Sequence, residues 1–246
     1  MKRNNIVFNK LEKMERPYDG AYECASYKGI GVKTLIYILV TLVGAAFGIF
    51  LLFNNPDVLI GVLGFSGILT CIFGIVAMMF PKASMICGTL YCLFEGVFLG
   101  VLSLLFEEMI GGVIISSVLG TLSVVLVVSV CYITGLVKAG SGFMRFLFIF
   151  AIAFIISMIL ISIFSLFPAF STIFDSFGVI MLISALSVLL ASLFLIADFR
   201  QATSIVESGS PKEFEWLAAF GIAYTILWLY IEILRIVAII ALRNRD

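Results

Sequence analysis

Seven times along this chain an apolar run of about 20 residues recurs, long enough as helix, at about 1.5 Å per residue, to cross a hydrocarbon core about 30 Å thick. The runs fall at residues 34–53, 58–80, 85–106, 112–133, 146–167, 177–199 and 215–242. Turn-forming and polar segments separate them: Asn54-Asn55-Pro56-Asp57, Pro81-Lys82, Glu107-Glu108, Lys138 to Gly142, Pro168 to Asp175, and Ser208 to Lys212. Hydrophobic residues make up 63% of the chain and charged ones 12%, which is about half the charged share of an ordinary soluble domain. A water-soluble fold could not hide so much apolar surface. The expected fold is therefore an all-α integral membrane protein, a seven-helix transmembrane bundle spanning residues 34–246 behind a polar N-terminal tail, residues 1–33.

The charges mark the loops. Seven Lys/Arg (Lys2, Arg3, Lys10, Lys13, Arg16, Lys28 and Lys33) precede Thr34, and no short cleavable leader is expected ahead of it. Lys82, Lys138, Arg145, Arg200 and Lys212 fall in alternate loops, whereas the intervening loops carry Asp57, Glu107, Glu108 and Asp175 without Lys or Arg. Because basic residues are retained on the cytoplasmic side of short loops, the N-terminus is expected in the cytosol. Seven full crossings then leave Arg243 and Arg245 outside, against that bias. A last segment that enters and returns would remove the conflict.

Several function classes drop out. Zero net charge and the lack of any basic run interleaved with aromatics argue against nucleic acid as a partner. The chain has no histidine, which excludes HExxH zinc proteases and histidine-dependent hydrolases. Gly64-Phe65-Ser66-Gly67 is then packing rather than a nucleophile. No glycine-rich phosphate loop appears, and neither an enzyme nor a cofactor is expected. The cysteines at 24, 71, 87, 92 and 131 lack metal spacing, and those within the apolar runs are read as small buried hydrophobes. Gly44/Gly48 and Gly96/Gly100 keep the four-residue spacing that lets helices approach closely, with Gly61, Gly64 and Gly67 lining another side.

The informative residues are the ionisable ones inside apolar runs, since each costs about 2.5–3.5 kcal/mol at a helix centre. They are Glu95, Asp198, Glu232 and Arg235. Glu95 falls near mid-depth. Glu232 and Arg235, three residues apart, share a helix face and can neutralise each other. Asp198 lies at the inner end of the sixth run, where an interfacial position is the simpler reading. Glu95, Asp198, Glu207 and Glu232 are the candidate oxygen ligands for a passing cation, but their spacing matches no calcium loop and assigns no metal site.

The third run contains Leu90-Tyr-Cys-Leu-Phe-Glu95-Gly-Val-Phe-Leu-Gly100. The sixth ends Ala197-Asp198-Phe199, and the last carries Glu215-Trp-Leu-Ala-Ala-Phe-Gly221 and Trp228-Leu-Tyr-Ile-Glu232-Ile-Leu-Arg235. With Ala25-Ser-Tyr-Lys-Gly29 and Lys33-Thr34, these segments resemble the transmembrane Bax inhibitor motif family in its bacterial Bax inhibitor-1-like branch, over about residues 20–242. The resemblance implies six helices around a central last one, a place in the bacterial plasma membrane, and a pH-responsive calcium leak. It also implies that Asp198 pairs with an acid in the last helix, a position that Glu232 takes here. Two carboxyls held close in low dielectric cannot both ionise cheaply, so protonation of one becomes a switch. The arginine that accompanies such a pair in relatives has no counterpart in residues 58–80, and Arg235 is the substitute at hand. Counting from Pro211 sets Glu232 deeper than Asp198, so direct contact requires the last helix to begin outside the membrane near Glu213.

Three functions follow as expectations: a cation leak channel gated by protonation at Asp198, Glu232 and Arg235, with Glu95 and Glu207 as pore or ion-binding candidates; a regulatory protein that binds other membrane proteins without a pore; and a proton-coupled transporter. The apolar runs are unbroken by proline, which ranks the transporter last.

Overall fold

The structure is a computed structural model that describes residues 23–137, 139–167 and 176–243. Lys2, Arg3, Lys10, Lys13, Arg16, Lys138, Asp175 and Arg245 lie outside the described residues. Within them are seven long helices: α1 (Tyr27–Asn54), α2 (Leu59–Met79, preceded by a 3-10 turn, Pro56–Val58), α3 (Ser84–Met109), α4 (Val113–Ile133), α5 (Ser141–Phe164), α6 (Phe177–Glu207) and α7 (Phe214–Arg243). All seven, α2 with its 3-10 turn, are long and apolar enough to cross a membrane. α6 runs past the end of its apolar stretch to Glu207. α7 is one unbroken helix, so a segment that enters and returns does not occur.

Hydrocarbon offers no partner for a polar group, and many hydroxyls within the spans bond back to their own helix. Thr34 donates to the Ile30 carbonyl, Thr41 to Tyr37, Ser117 to Val113 and Thr121 to Ser117. Local chemistry also sets helix ends. Ser26 caps α1 by accepting from the Gly29 amide. Gly112 takes a left-handed φ of 89° in the tight turn before α4, whose first amides are met by the Glu107 carboxylate, 2.7 Å from Gly112 N and 2.8 Å from Ile114 N.

The last helix is the axis. α7 packs against α1, α2, α3, α4 and α6, while α5 rests on α6. Small residues at Ala218, Ala219, Ala223 and Ala238 are buried on α7, allowing neighbours to come close where lipid supplies no hydrophobic drive. α1 and α3 approach still more tightly. Gly44 and Gly48 of α1 lie against the backbone of Leu93 and Val97, and Gly96 and Gly100 of α3 lie reciprocally against Thr41 and Ala45. Gly61 and Gly64 are different, because a side chain there would meet open space. The spacing alone could not tell a packing glycine from a lipid-facing one. Cys92 is buried as expected, but Cys71 is exposed.

At one end of the bundle, a short segment ahead of α1 ties down the turn between α6 and α7. The Ala25 amide donates to the Ser210 carbonyl at 2.8 Å, the Lys212 amide to Glu23 O at 2.9 Å, and the Lys212 ammonium meets the Glu23 carboxylate, which holds that carboxyl below its ordinary pKa. Glu215, 1% exposed, accepts from the Ser26 amide at 2.7 Å, the Ser26 hydroxyl at 3.1 Å and Lys33 Nζ at 2.6 Å. Lys33 also lies over the Trp216 ring, 5.0 Å from its centroid. With Lys82 nearby, this is the basic end of the molecule. At the other end, Arg243 stacks on Phe177, 4.0 Å from the ring centroid, joining the last turn of α7 to the first of α6.

A methyl group at Gly96 would strike the Thr41 backbone, which a rotamer change cannot relieve. Gly96→Ala should therefore destabilise the protein by about 1–3 kcal/mol, the usual cost of overpacking. Gly61→Ala should leave stability unchanged or slightly raised. Melting of the two purified variants in detergent tests this, and equal losses would contradict the assignment.

Candidate functional site

Two cavities flank the central helix. One, of about 400 Å³, lies between α2, α3 and α7 and is lined by Thr70, Cys71, Tyr91 and Glu95. The other, of about 660 Å³, lies between α5, α6 and α7 and is lined by Asp198, Thr225, Glu232 and Arg235. Met78, Tyr224 and Trp228 belong to both linings. Tyr224 and Trp228 are one turn apart on α7, so they form a single partition, with Met78 of α2 closing it.

Each acid is positioned by its helix. Glu95 is eleven residues along α3 from Ser84 and is 7% exposed. Thr70, facing the same cavity from α2, has a buried hydroxyl with no hydrogen-bond partner among the described residues. Tyr91, one turn before Glu95, packs on Phe220 and Tyr224, with ring centroids 5.1 and 5.6 Å away. On the other side, Asp198 Oδ2 accepts from the Thr225 hydroxyl at 2.5 Å. Gly221, one turn before Thr225, lets the carboxylate approach, since a Cβ there would stand 3.3 Å from Oδ1. Thr225 is eleven residues along α7 from Phe214, so the Asp198–Thr225 pair and Glu95 lie at similar depth.

Glu232, 5% exposed, sits seven residues beyond Thr225, about 10 Å along the helix. Its Oε1 accepts from Trp228 Nε1 at 3.2 Å and from Arg235 Nη2 at 3.3 Å. Arg235 Nη1 is 3.2 Å from Oε2, at an angle too poor for a hydrogen bond, and Oε2 is otherwise buried without a donor among the described residues. Trp228 is itself braced by Phe194, 5.8 Å between centroids. Glu232 thus holds one oxygen with two hydrogen-bond donors and one whose neighbour is the Arg235 guanidinium alone among the described residues.

The structure brings Asp198, Glu232 and Arg235 to one cavity and Glu95 to its neighbour. It does not put Asp198 against Glu232: the register of α6 on α7 offers Asp198 a threonine instead, while Glu232 is taken by two residues of its own helix. Asp198 is half-buried within the bundle rather than at its end. Glu207 is exposed at the terminus of α6 and lines neither cavity. Thr225, Tyr224 and Trp228 are the neighbours of these acids that sequence reasoning did not single out. The signal was present as a stripe, Gly221-Thr225-Trp228-Glu232, at helical spacing on one face of the last run.

Among the described residues no three His, Cys, Asp or Glu side chains gather as metal ligands. A calcium cage of six to eight oxygens is therefore not what these carboxylates build. Widely spaced single carboxylates, each beside hydroxyls or aromatic faces, can hold a cation or a proton briefly and release it.

A seven-span bundle with a buried axial helix and acids on both sides of it defines a polytopic membrane protein with a polar interior. A family model described as Bax inhibitor 1 like matches residues 4–242, and the chain belongs to that family. No curated protein matches the chain.

Replacing the lone donor to Asp198 isolates what that bond contributes. Thr225→Val should cost about 1–3 kcal/mol by leaving a buried acceptor unpaired, and Thr225→Ser should restore most of it. Detergent-resistant unfolding measured at neutral pH reads both, and a Thr225→Val protein as stable as the parent would deny the bond any structural weight.

Proposed function

We propose that the protein is a pH-sensitive cation leak pathway, with calcium as the cargo that family membership favours, gated by protonation of carboxylates inside the bundle. The observation that supports this most is the convergence of Glu95, Asp198 and Glu232 on two cavities with a common aromatic wall. Acids placed in hydrocarbon without such a chamber would be costly and idle.

In this reading the ionised Asp198 fastens α6 to α7 through Thr225, and the ionised Glu232 fastens Trp228 across the partition through its indole N–H. Protonation of Glu232 weakens both its ion pair with Arg235 and its hold on Trp228, because a neutral carboxyl is a poorer acceptor. Trp228 is then free to change rotamer and join the two chambers. The proton shifts an equilibrium between two helix arrangements by binding one of them better. Glu95, beyond the partition, is the next carboxylate that a moving cation meets. The basic end, with Lys33, Lys82 and Lys212, faces the cytosol of a cell whose plasma membrane holds the bundle, in keeping with retention of positive charge on that side.

Calcium flux into liposomes, followed with an entrapped dye across pH, tests the gating. Asp198→Asn and Glu232→Gln mimic the protonated acids and should flatten the pH dependence, and Trp228→Phe should raise flux at neutral pH several-fold. A parent protein that passes no cation at any pH removes the proposal. Orientation is open to a separate measurement, since Cys24 is exposed at the basic end. A membrane-impermeant maleimide should label it in inverted vesicles and spare it in intact cells, and the reverse pattern would turn the topology over.

A further inference from the structure

The ring around α7 is not closed. Among the described residues α5 packs on α6, α2 packs on α3 and α7, and α2 and α5 share no substantial contact. The larger cavity lies behind this break, with Met78 of α2 on one lip and Ile155 and Ile159 of α5 on the other. Those three side chains line the cavity and are also 48%, 57% and 54% exposed, so the chamber continues sideways into whatever surrounds the bundle. In a membrane that surrounding is lipid. Much of the lining is apolar, with Phe154 of α5 and Phe194 of α6 among it.

Asp198, Glu232 and Arg235 interrupt this apolar lining, and the arginine differs from the two acids in its exposure. Arg235 lines the same cavity, yet its side chain is 45% exposed. It lies eight residues before Arg243, the last residue of α7, about 12 Å short of that helix end. Glu232 occupies one side of the guanidinium through Nη1 and Nη2, and a guanidinium carries five N–H donors in all. The uncovered donors of an arginine inside a membrane span need water or a lipid headgroup. Their planar fork matches the oxygens of a phosphate.

We infer that the break between α2 and α5 is a lateral binding site for an anionic glycerophospholipid, with one acyl chain entering the cleft past Ile155 and Ile159 and the phosphate held by Arg235. A volume of about 660 Å³ is within the range of small-molecule pockets and gives room for one acyl chain, the rest of the lipid lying outside the cleft. The headgroup is anionic because a zwitterionic lipid satisfies its phosphate with its own ammonium and leaves less for the arginine. The bound chain fills the seam between α2 and α5. The inference stands on the cleft and the arginine, and it holds whether or not ions pass.

Trp228 lines the cleft and is one of two tryptophans in the chain. In the Trp216→Phe protein it is the sole indole, and it reports on lipid through quenching by brominated acyl chains. The protein is reconstituted in phosphatidylcholine vesicles carrying equal fractions of either brominated phosphatidylglycerol or brominated phosphatidylcholine. The expected result is half-maximal quenching at a several-fold lower fraction of the phosphatidylglycerol. Arg235→Gln should abolish that preference. Since Arg235→Gln alone strands Glu232, the double variant Glu232→Gln/Arg235→Gln removes both charges together and should behave likewise. Equal quenching by the two lipids in the parent, or a preference that survives both variants, overturns the assignment. So does a preference erased by excess inorganic phosphate, which would make the site one for free anions instead of lipid.

Discussion

A charged or polar side chain inside hydrocarbon must find its partner within the protein, and this requirement organises the whole molecule. Where the group is a hydroxyl, the partner is most often the carbonyl one turn earlier in the same helix, with Tyr37, Ser103 and Thr225 reaching another helix instead. Where it is a carboxylate, side chains must be brought to it, and α7 carries either the carboxylate or its partner in every described case but one. Asp198 reaches Thr225, Glu232 reaches Trp228 and Arg235, and Glu215 receives Ser26 and Lys33. Glu95 alone looks across a cavity at α7. The last helix is central because it carries the partners, and its alanines let five neighbours come near enough to use them.

The sites along α7 are mechanically continuous. Glu215 at its first turn and Glu232 near its far end stand on one uninterrupted rod. Sliding or tilting that rod to release Asp198 from Thr225 also strains the seat of Glu215 at the basic end. The reverse holds too, because anything that loosens residues 23–26 from the turn at Ser210 lowers the cost of moving the axis. One helix thus links the two ends of the bundle, while among the described residues α5 has its substantial contact with α6. This division agrees with the open seam beside α5, since a helix that does not hold the axis can stand away from its neighbour at little expense.

Much of this was legible in the residues themselves. The spans and their order follow from run length, because the bilayer sets one thickness for all of them. The Gly44/Gly48 and Gly96/Gly100 spacings also pointed to close packing. What the sequence could not convey was register. Whether Gly61 faces a helix or lipid, and whether Asp198 meets Glu232 or Thr225, depends on the rotation and shift of one helix against another, and a shift of a single turn changes the answer. Helix ends were misjudged for a related reason. α6 continues to Glu207 because a helix need not stop where hydrocarbon stops, so Glu207 ends in solvent. The polar residues before Thr34 gave no hint that Ser26 and Lys33 were the missing partners of a buried acid 189 and 182 positions away.

That separation bears on how the molecule is made. α1 is synthesised before α7, so the carboxylate that receives Ser26 and Lys33 is made only after the six spans from α1 to α6. Until then the lysine has no anion, and Gly29 faces a vacant seat. The segment ahead of α1 is consequently locked late, after the six spans from α1 to α6 have been made, and a chain stalled before Phe214 cannot form that contact.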